Sequence, residues 1–362
     1  MKLMVVTTDI DHVEPYQFLG AKQKGAEVTV LCASNCTNLE LFSGNDIPVQ
    51  KVAFKGKRNR GNIDTIRQAI DSFEPDIVHV LRKQALLSTI PAMSNSEAKL
   101  IAYRGIVGNL SFFDPFSLLS FLHPRIDRIV CVAEAIRAHF LKMGFGPVRL
   151  SPRKVITIHK GHVTEKYNAV PDIDLKQYGI PADYQVIGFC GAMRPRKGID
   201  ILVRAFSEMR REKVALLLVG DLRDKKAKQA IAASKKRGLI FTIGKVEQHA
   251  ALSINGAIDV TTMPSIKREG LPRALIEAMG QGTPAVVTRV GGSPELVEHG
   301  NCGFVVPPGD IAAFATALDE LLDEQTCSRM GEQAQKRIHN HFDVTATIER
   351  NWALYQELLS EN

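Results

Sequence analysis

Residues 185–221 read QVIGFCGAMRPRKGIDILVRAFSEMRREKVALLLVGD. The run 185–193 is apolar, of strand length and punctuated by Gly191; 200–211 has helical spacing; 214–221 is a second apolar run ending in Gly220 and Asp221. A strand that is apolar throughout is buried on both faces, and a helix between two such strands is the crossover that parallel pairing requires. This stretch therefore predicts a strand–helix–strand unit of a doubly wound sheet.

Further strands follow downstream at LIFTIGKV (239–246), DVTTMP (259–264), PAVVTR (284–289) and GFVVP (303–307). Upstream the same alternation runs through KLMVVTT (2–8), AEVTVLCAS (26–34), DIVHVL (76–81), KLIAYRG (99–105), RIVCVA (128–133) and KVITIHKG (154–161). Helical stretches at 16–25, 63–73 and 133–145 separate several of them. The pattern predicts two doubly wound parallel-sheet domains, 1–168 and 169–342, joined near 163–183. The last segment, 343–362, contains TIERNWALYQELL with the only tryptophan, Trp352, and is expected to cross back to the first domain as an amphipathic helix.

A chain of 362 residues suits two domains of ordinary size. The six cysteines are scattered, with no C-x-x-C pair, which fits a reduced, cytoplasmic setting. No run approaches the length of a membrane span, and the apolar start is too short for a signal peptide. The net charge of +7 is uneven: residues 1–168 hold 22 Lys and Arg against 15 Asp and Glu, whereas 169–362 hold 24 of each. A basic first half attracts anionic partners.

Ligands of doubly wound sheets bind beyond the carboxyl ends of the strands. The densest chemistry falls on such loops, in PSIKREGLPRALIEAMGQGTPAVVTRVGGSPELVEHGNCGFVVPPGD, residues 264–310. Glu269 precedes a helix that Pro272 opens, and Glu277 lies on that helix, roughly 7 Å along its axis from Pro272. Two carboxylates set off in this way can bind hydroxyl pairs at separate points of one ligand, with a phosphate at the helix N-terminus between them. Upstream, Gly191-Ala-Met-Arg-Pro-Arg-Lys-Gly198 gathers Arg194, Arg196 and Lys197 on another of these loops. No Asp-x-Asp stands on these loops; Asp172-Ile-Asp174 falls in the joining segment. No G-x-G-x-x-G follows a strand, which argues against a nicotinamide dehydrogenase.

The run 264–310, with GAMRPRKGID, LLLVGD and FTIGKV before it, resembles the donor-binding signature of the family-four retaining glycosyltransferases, the glycosyl transferases group 1 type. The resemblance covers essentially the whole C-terminal half. It implies the GT-B fold, two Rossmann-like domains facing a cleft, and transfer of a hexose-type sugar from a UDP- or GDP-linked donor to a hydroxyl with retention of configuration. It further implies that Glu269 binds the donor sugar, that Glu277 binds the ribose diol, and that the Gly270 and Leu271 backbone faces sugar and diphosphate. Gly191, Gly220 and Val246 complete the donor site, with Val246 near the nucleobase. Lys197 matches the family lysine that holds the leaving group.

The family arginine is replaced by Ala192, and Arg194 is the expected substitute, with Arg196 left to solvent. No metal or other cofactor is expected. The first half departs further: the loop after its first strand, DIDHVEPYQ (9–17), has no glycine where relatives carry a Gly-Gly turn. Arg104 stands where relatives carry a histidine and reads as an acceptor or phosphate clamp, and His79 is expected to face the cleft. The acceptor is expected to be a lipid-linked or anionic cell-envelope glycan, such as lipopolysaccharide, and not nucleic acid. The basic cluster Lys55, Lys57, Arg58 and Arg60 and the apolar segment LSFFDPFSLLSFLHPR (110–125) suggest peripheral attachment to the cytoplasmic membrane face. A silent sugar-nucleotide-binding protein of the same fold is the rival reading.

Overall fold

Each of the chain's two units is built on one parallel sheet. The computed structural model describes residues 1–56, 59–108, 110–144 and 149–361. The first unit comprises Met1–Gly161 with Val344–Asn362, and the second His162–Asp343.

The first sheet consists of β1 (Lys2–Thr7), β2 (Glu27–Ala33), β3 (Val49–Val52), β4 (Ile77–Val80), β5 (Lys99–Arg104), β6 (Arg128–Cys131) and β7 (Val155–Thr157), in the order β3-β2-β1-β4-β5-β6-β7. Six of these strands are the apolar runs the sequence predicts. The seventh, β3, is a four-residue edge strand with two exposed positions, too short and too polar to stand out as a buried run. The helix Val344–Ser360 belongs to this unit, where Tyr355 Oη meets His79 Nδ1 at 2.9 Å, Asn351 Nδ2 donates to Gln17 Oε1 at 3.1 Å and Arg128 pairs with Glu357 at 2.9 Å.

The second sheet consists of β8 (Gln185–Cys190), β9 (Val214–Val219), β10 (Ile240–Ile243), β11 (Val260–Met263), β12 (Ala285–Thr288) and β13 (Gly303–Val306), in the order β10-β9-β8-β11-β12-β13. Strands β8, β9, β11 and β12 are buried almost throughout, as the continuous apolar runs require. The strand order reverses between β8 and β11, and the two paired there are Val260 with Ile187 and Thr261 with Gly188. Their chain-carboxyl ends open a crevice at this switch point, the place where doubly wound sheets receive ligands.

Candidate functional site

Two loops meet at the switch point of the second sheet. The loop after β8 runs through Gly191 to Gly198 and contains a single 3-10 turn, Pro195–Lys197. The loop after β11 runs from Pro264 to Pro272 and enters the helix Arg273–Gly280, with Pro272 as its cap at φ −72° and ψ 116°. The sequence places Pro272 one position inside the helix; the structure places it one position outside, with extended ψ.

Lys197 and Glu269, 72 residues apart, form an ion pair at 2.7 Å, with side chains 13% and 8% exposed. Ser265 Oγ donates to the same Glu269 oxygen at 2.7 Å, and Lys197 Nζ also lies 3.5 Å from Met263 Sδ. Burial raises the carboxyl's pKa, but the Lys197 charge and the hydrogen bonds from Lys197 and Ser265 outweigh it, so Glu269 titrates below the usual carboxylate range. Beneath it, Gly291 adopts φ +58°, and a Cβ there would fall 2.3 Å from the Glu269 carbonyl oxygen. Gly292 N donates to Gly270 O at 2.8 Å, so the Gly-Gly turn after β12 is the floor on which Glu269 and Gly270 rest.

Glu277 is buried on the helix that follows, with Arg273 Nε at 3.3 Å and Asn255 Nδ2 at 3.5 Å. It also lies near the end of β8: burial first, and then the Glu277 charge, push the Cys190 thiol up to about 12. Gly191 and Gly220 close the ends of β8 and β9, with Gly191 N donating to Val219 O at 2.9 Å. Leu271 is buried, while Val246 is half-buried against the apolar cluster that includes Leu217, Val219 and Ile254. Arg194 is exposed, and its amide donates to Ala192 O. Arg196 departs from expectation: instead of pointing freely to solvent, its Nη1 donates to the Arg268 carbonyl at 2.5 Å.

The candidates of the first unit do not form a site. His79 is fully buried among Phe18, Tyr103 and Tyr355, and burial holds its pKa near about 3, so it is a neutral core residue rather than one facing a cleft. Strand β4 is covered on both faces, which a strand-end histidine in sequence cannot reveal. Arg104 is 7% exposed, donates to the Ile106 and Gly108 carbonyls at 3.0 and 2.5 Å and lies 4.9 Å from the centre of the Phe121 ring. Its guanidinium is engaged in holding the loop after β5, which corrects the reading of a clamp open to ligand.

The loop after β1 contains a charge cage that the sequence reading missed. Arg82 forks onto Glu14 at 3.0 and 2.7 Å and reaches Asp9 at 3.0 Å. Asp11 accepts from the amides of Val13 and Glu14 and pairs with Lys160 at 2.5 Å. Asp9-Ile-Asp11 is thus an Asp-x-Asp whose carboxylates are held by cations and amides. The apolar segment at 110–125 divides: Phe121 and Leu122 are core, whereas Phe113 is 92% exposed, with Phe116 at 39% and Leu118 at 42%. Of the basic cluster, Lys55 and Arg60 are exposed, and Lys57 and Arg58 lie outside the described residues. No described helix is long and apolar enough to cross a membrane.

Residues 171–337 match the family described as glycosyl transferases group 1. The chain is 28% identical over 190 residues to the N-acetyl-alpha-D-glucosaminyl L-malate synthase of Bacillus anthracis, covering 52% of this chain and 49% of that protein. It is 31% identical over 223 residues to the GDP-mannose-dependent alpha-(1-6)-phosphatidylinositol monomannoside mannosyltransferase of Mycolicibacterium smegmatis, 57% of this chain and 56% of that one. The chain spans about half the length of the curated relatives it matches. Among solved structures it is similar to a glycosyltransferase from Rickettsia africae, with a TM-score of 0.84, 20% identity and 100% and 99% of the two chains covered. It is also similar to Anabaena Alr3699/HepE in complex with UDP, at a TM-score of 0.82, 20% identity and 99% and 100% coverage. Those two likenesses establish the architecture, two Rossmann-like domains of the GT-B type.

Proposed function

We propose, from the premise that residues 171–337 of this chain are a group 1 glycosyl transferase domain on a GT-B fold, that the protein transfers a hexose-type sugar from a nucleoside diphosphate donor to a hydroxyl with retention of configuration. The observation that carries this reading is the Lys197–Glu269 pair at the switch point of the second sheet. One loop there supplies a cation for phosphate and the other a carboxylate for sugar hydroxyls. Glu277, deeper on the helix Arg273–Gly280, takes the ribose diol. Gly191, Gly220, Gly270, Leu271 and Val246 line the donor with backbone. That Alr3699/HepE is a UDP complex favours a uridine donor, and that the Mycolicibacterium relative is named for GDP-mannose keeps the guanosine form in the test.

In the reaction, the anomeric carbon's bond to the diphosphate oxygen breaks while the acceptor oxygen bonds to that carbon from the same face. The acceptor's proton passes to the departing phosphate, so no second carboxylate nucleophile is needed. Lys197 and Arg194 hold the charge that develops, and no metal or cofactor takes part. The acceptor is a lipid-linked or anionic envelope glycan at the cytoplasmic face of an anionic membrane. Exposed Phe113, Phe116 and Leu118, and a relative named for a phosphatidylinositol-linked acceptor, support this part.

The test is a thermal-shift screen of UDP- and GDP-hexoses, followed by turnover with and without EDTA. Donor binding raises the melting temperature by mass action. Slow hydrolysis of the stabilising donor that persists in EDTA is the expected result. Loss of hydrolysis in EDTA with recovery on Mn²⁺ or Mg²⁺ overturns the mechanism, and a donor that binds but stays intact favours a silent binding protein.

A further inference from the structure

The loop that carries Glu269 is attached to the loop that carries Lys197 at more than the ion pair. Arg196, next to Lys197, grips it twice: Ile266 N donates to the Arg196 carbonyl at 2.9 Å, and Arg196 Nη1 donates to the Arg268 carbonyl at 2.5 Å. The two loops also touch through backbone, since a Cβ on Gly198, at φ +66°, would fall 2.2 Å from the Pro264 carbonyl oxygen. Within this grip Arg268 adopts φ +57°, in the left-handed region that favours glycine and that an arginine enters only under constraint. Its own side chain is exposed.

The consequence falls on the next residue. The Arg268 carbonyl and the Glu269 Cα lie in one rigid peptide plane. A guanidinium that fixes the carbonyl therefore fixes the start of the Glu269 side chain. We propose that Arg196 is a positioning residue: it holds the left-handed turn at Arg268 and so aims the Glu269 carboxylate at the donor sugar. This rests on the donor reading above. It separates two arginines that are two residues apart, Arg194 facing phosphate and Arg196 acting through Glu269. A held carboxylate confers selectivity for the sugar-bearing nucleotide over the bare diphosphate, because the latter offers Glu269 no hydroxyls.

Calorimetric titration of wild type, Arg196→Ala, Arg268→Gly and the double variant with UDP, GDP and their hexose conjugates tests the proposal. For Arg196→Ala, affinity for the bare diphosphate should stay within about twofold. Its preference for the sugar-bearing form should fall about tenfold, the scale of one left-handed residue's conformational preference. Removing Arg196 should cost less in the Arg268→Gly background, because glycine takes the left-handed turn without the grip. Equal losses in both backgrounds overturn the positioning role. So does a matching loss of bare diphosphate affinity, which would make Arg196 a phosphate ligand. If wild type binds neither the diphosphates nor their conjugates, the donor reading fails and this inference with it.

Discussion

The six strands of the second sheet repeat the order of the first six of the first sheet, yet the loop after the first central strand of each is made of opposite material. After β8 the chain offers Gly191, Gly198, Arg194, Arg196 and Lys197, and only Lys197 meets a carboxylate side chain, at 2.7 Å. After β1 it offers Asp9, Asp11 and Glu14, with Arg82 and Lys160 bound against them. The first half holds all of the net +7, but its crevice loop is acidic; the second half is neutral, but its crevice loop is basic. Net charge over a half-chain says what surface attracts at long range. It does not say what stands at the ends of the strands. A phosphate approaching the β1 loop would meet carboxylates, which is a physical reason to place the donor on the second unit.

The largest expected effect tests the cage after β1. Glu14 is 3% exposed and holds the fork of Arg82, so Arg82→Ala leaves a buried carboxylate without its cation. Breaking such a pair costs about 3–5 kcal/mol of folding free energy. Denaturant unfolding should register that loss, while nucleotide affinity, assigned to the second unit, should hold. An equal drop in nucleotide affinity would mean that the β1 loop shares the donor, and the contrast between the two loops would break.

Next comes Lys197→Ala, expected to lower turnover by about 10²–10³-fold, the scale of one preorganised charge stabiliser. The same variant carries a pH signature. The pKa of Glu269 is depressed in the folded protein, so its carboxylate persists as pH falls below the ordinary range. Without Lys197, burial acts against it with less opposition and the pKa rises. The acid limb of donor binding should therefore shift to higher pH in Lys197→Ala. An unmoved acid limb would show that Glu269 is not the group that titrates there.

How much of this was legible beforehand depends on what each feature rests on. Strands buried on both faces write themselves as apolar runs; β7 and β10 stand out by their β-branched and apolar residues although they are only partly buried, and β3 is too short and polar to do so. The spacing of Glu269 and Glu277 around a proline-opened helix is local and was read to within one residue at Pro272. The grip of Arg196 on Arg268 spans 72 residues and depends on a backbone angle, which no spacing encodes. His79 and Arg104 failed as site residues for a related reason: a polar side chain at a strand end is turned inward or outward by packing, here against Tyr355 and Phe121. Asp9-Ile-Asp11 went unread because a motif's meaning lies in its partners, and Arg82 and Lys160 are 73 and 149 residues away.

A smaller effect separates the two glutamates. If Glu277 takes the ribose diol as proposed, Glu277→Ala should lose hydrogen bonds worth about 1.5–3 kcal/mol each for a charged acceptor and weaken the bare diphosphate and its sugar conjugate alike. Glu269→Ala should spare the bare diphosphate and depress turnover. Titration with UDP or GDP alone decides between them. Wild-type affinity in Glu277→Ala would remove the ribose assignment.

The smallest effect concerns the first unit's surface. Phe113, Phe116 and Leu118 account for three of the four large apolar side chains exposed among the described residues, and they fall within six positions of one another. Phe121 and Leu122, only a few residues on, are core, so the segment is anchored at one end and presents its apolar side chains at the other. Scattered exposed apolar residues need no explanation, whereas a contiguous set marks a contact surface. Each Lys or Arg near an anionic bilayer adds about 1 kcal/mol, so on the membrane reading Phe113, Phe116 and Leu118 with the exposed Lys55 and Arg60 would give a reversible attachment, weakened by salt. The protein should cosediment with phosphatidylserine-containing vesicles at low ionic strength and less with neutral ones. Phe113→Asp should weaken both while leaving donor affinity intact. Negligible binding to both vesicle types would take the membrane out of the reading and leave an acceptor met in solution. The charge asymmetry between the halves would then be a property of surface solvation alone.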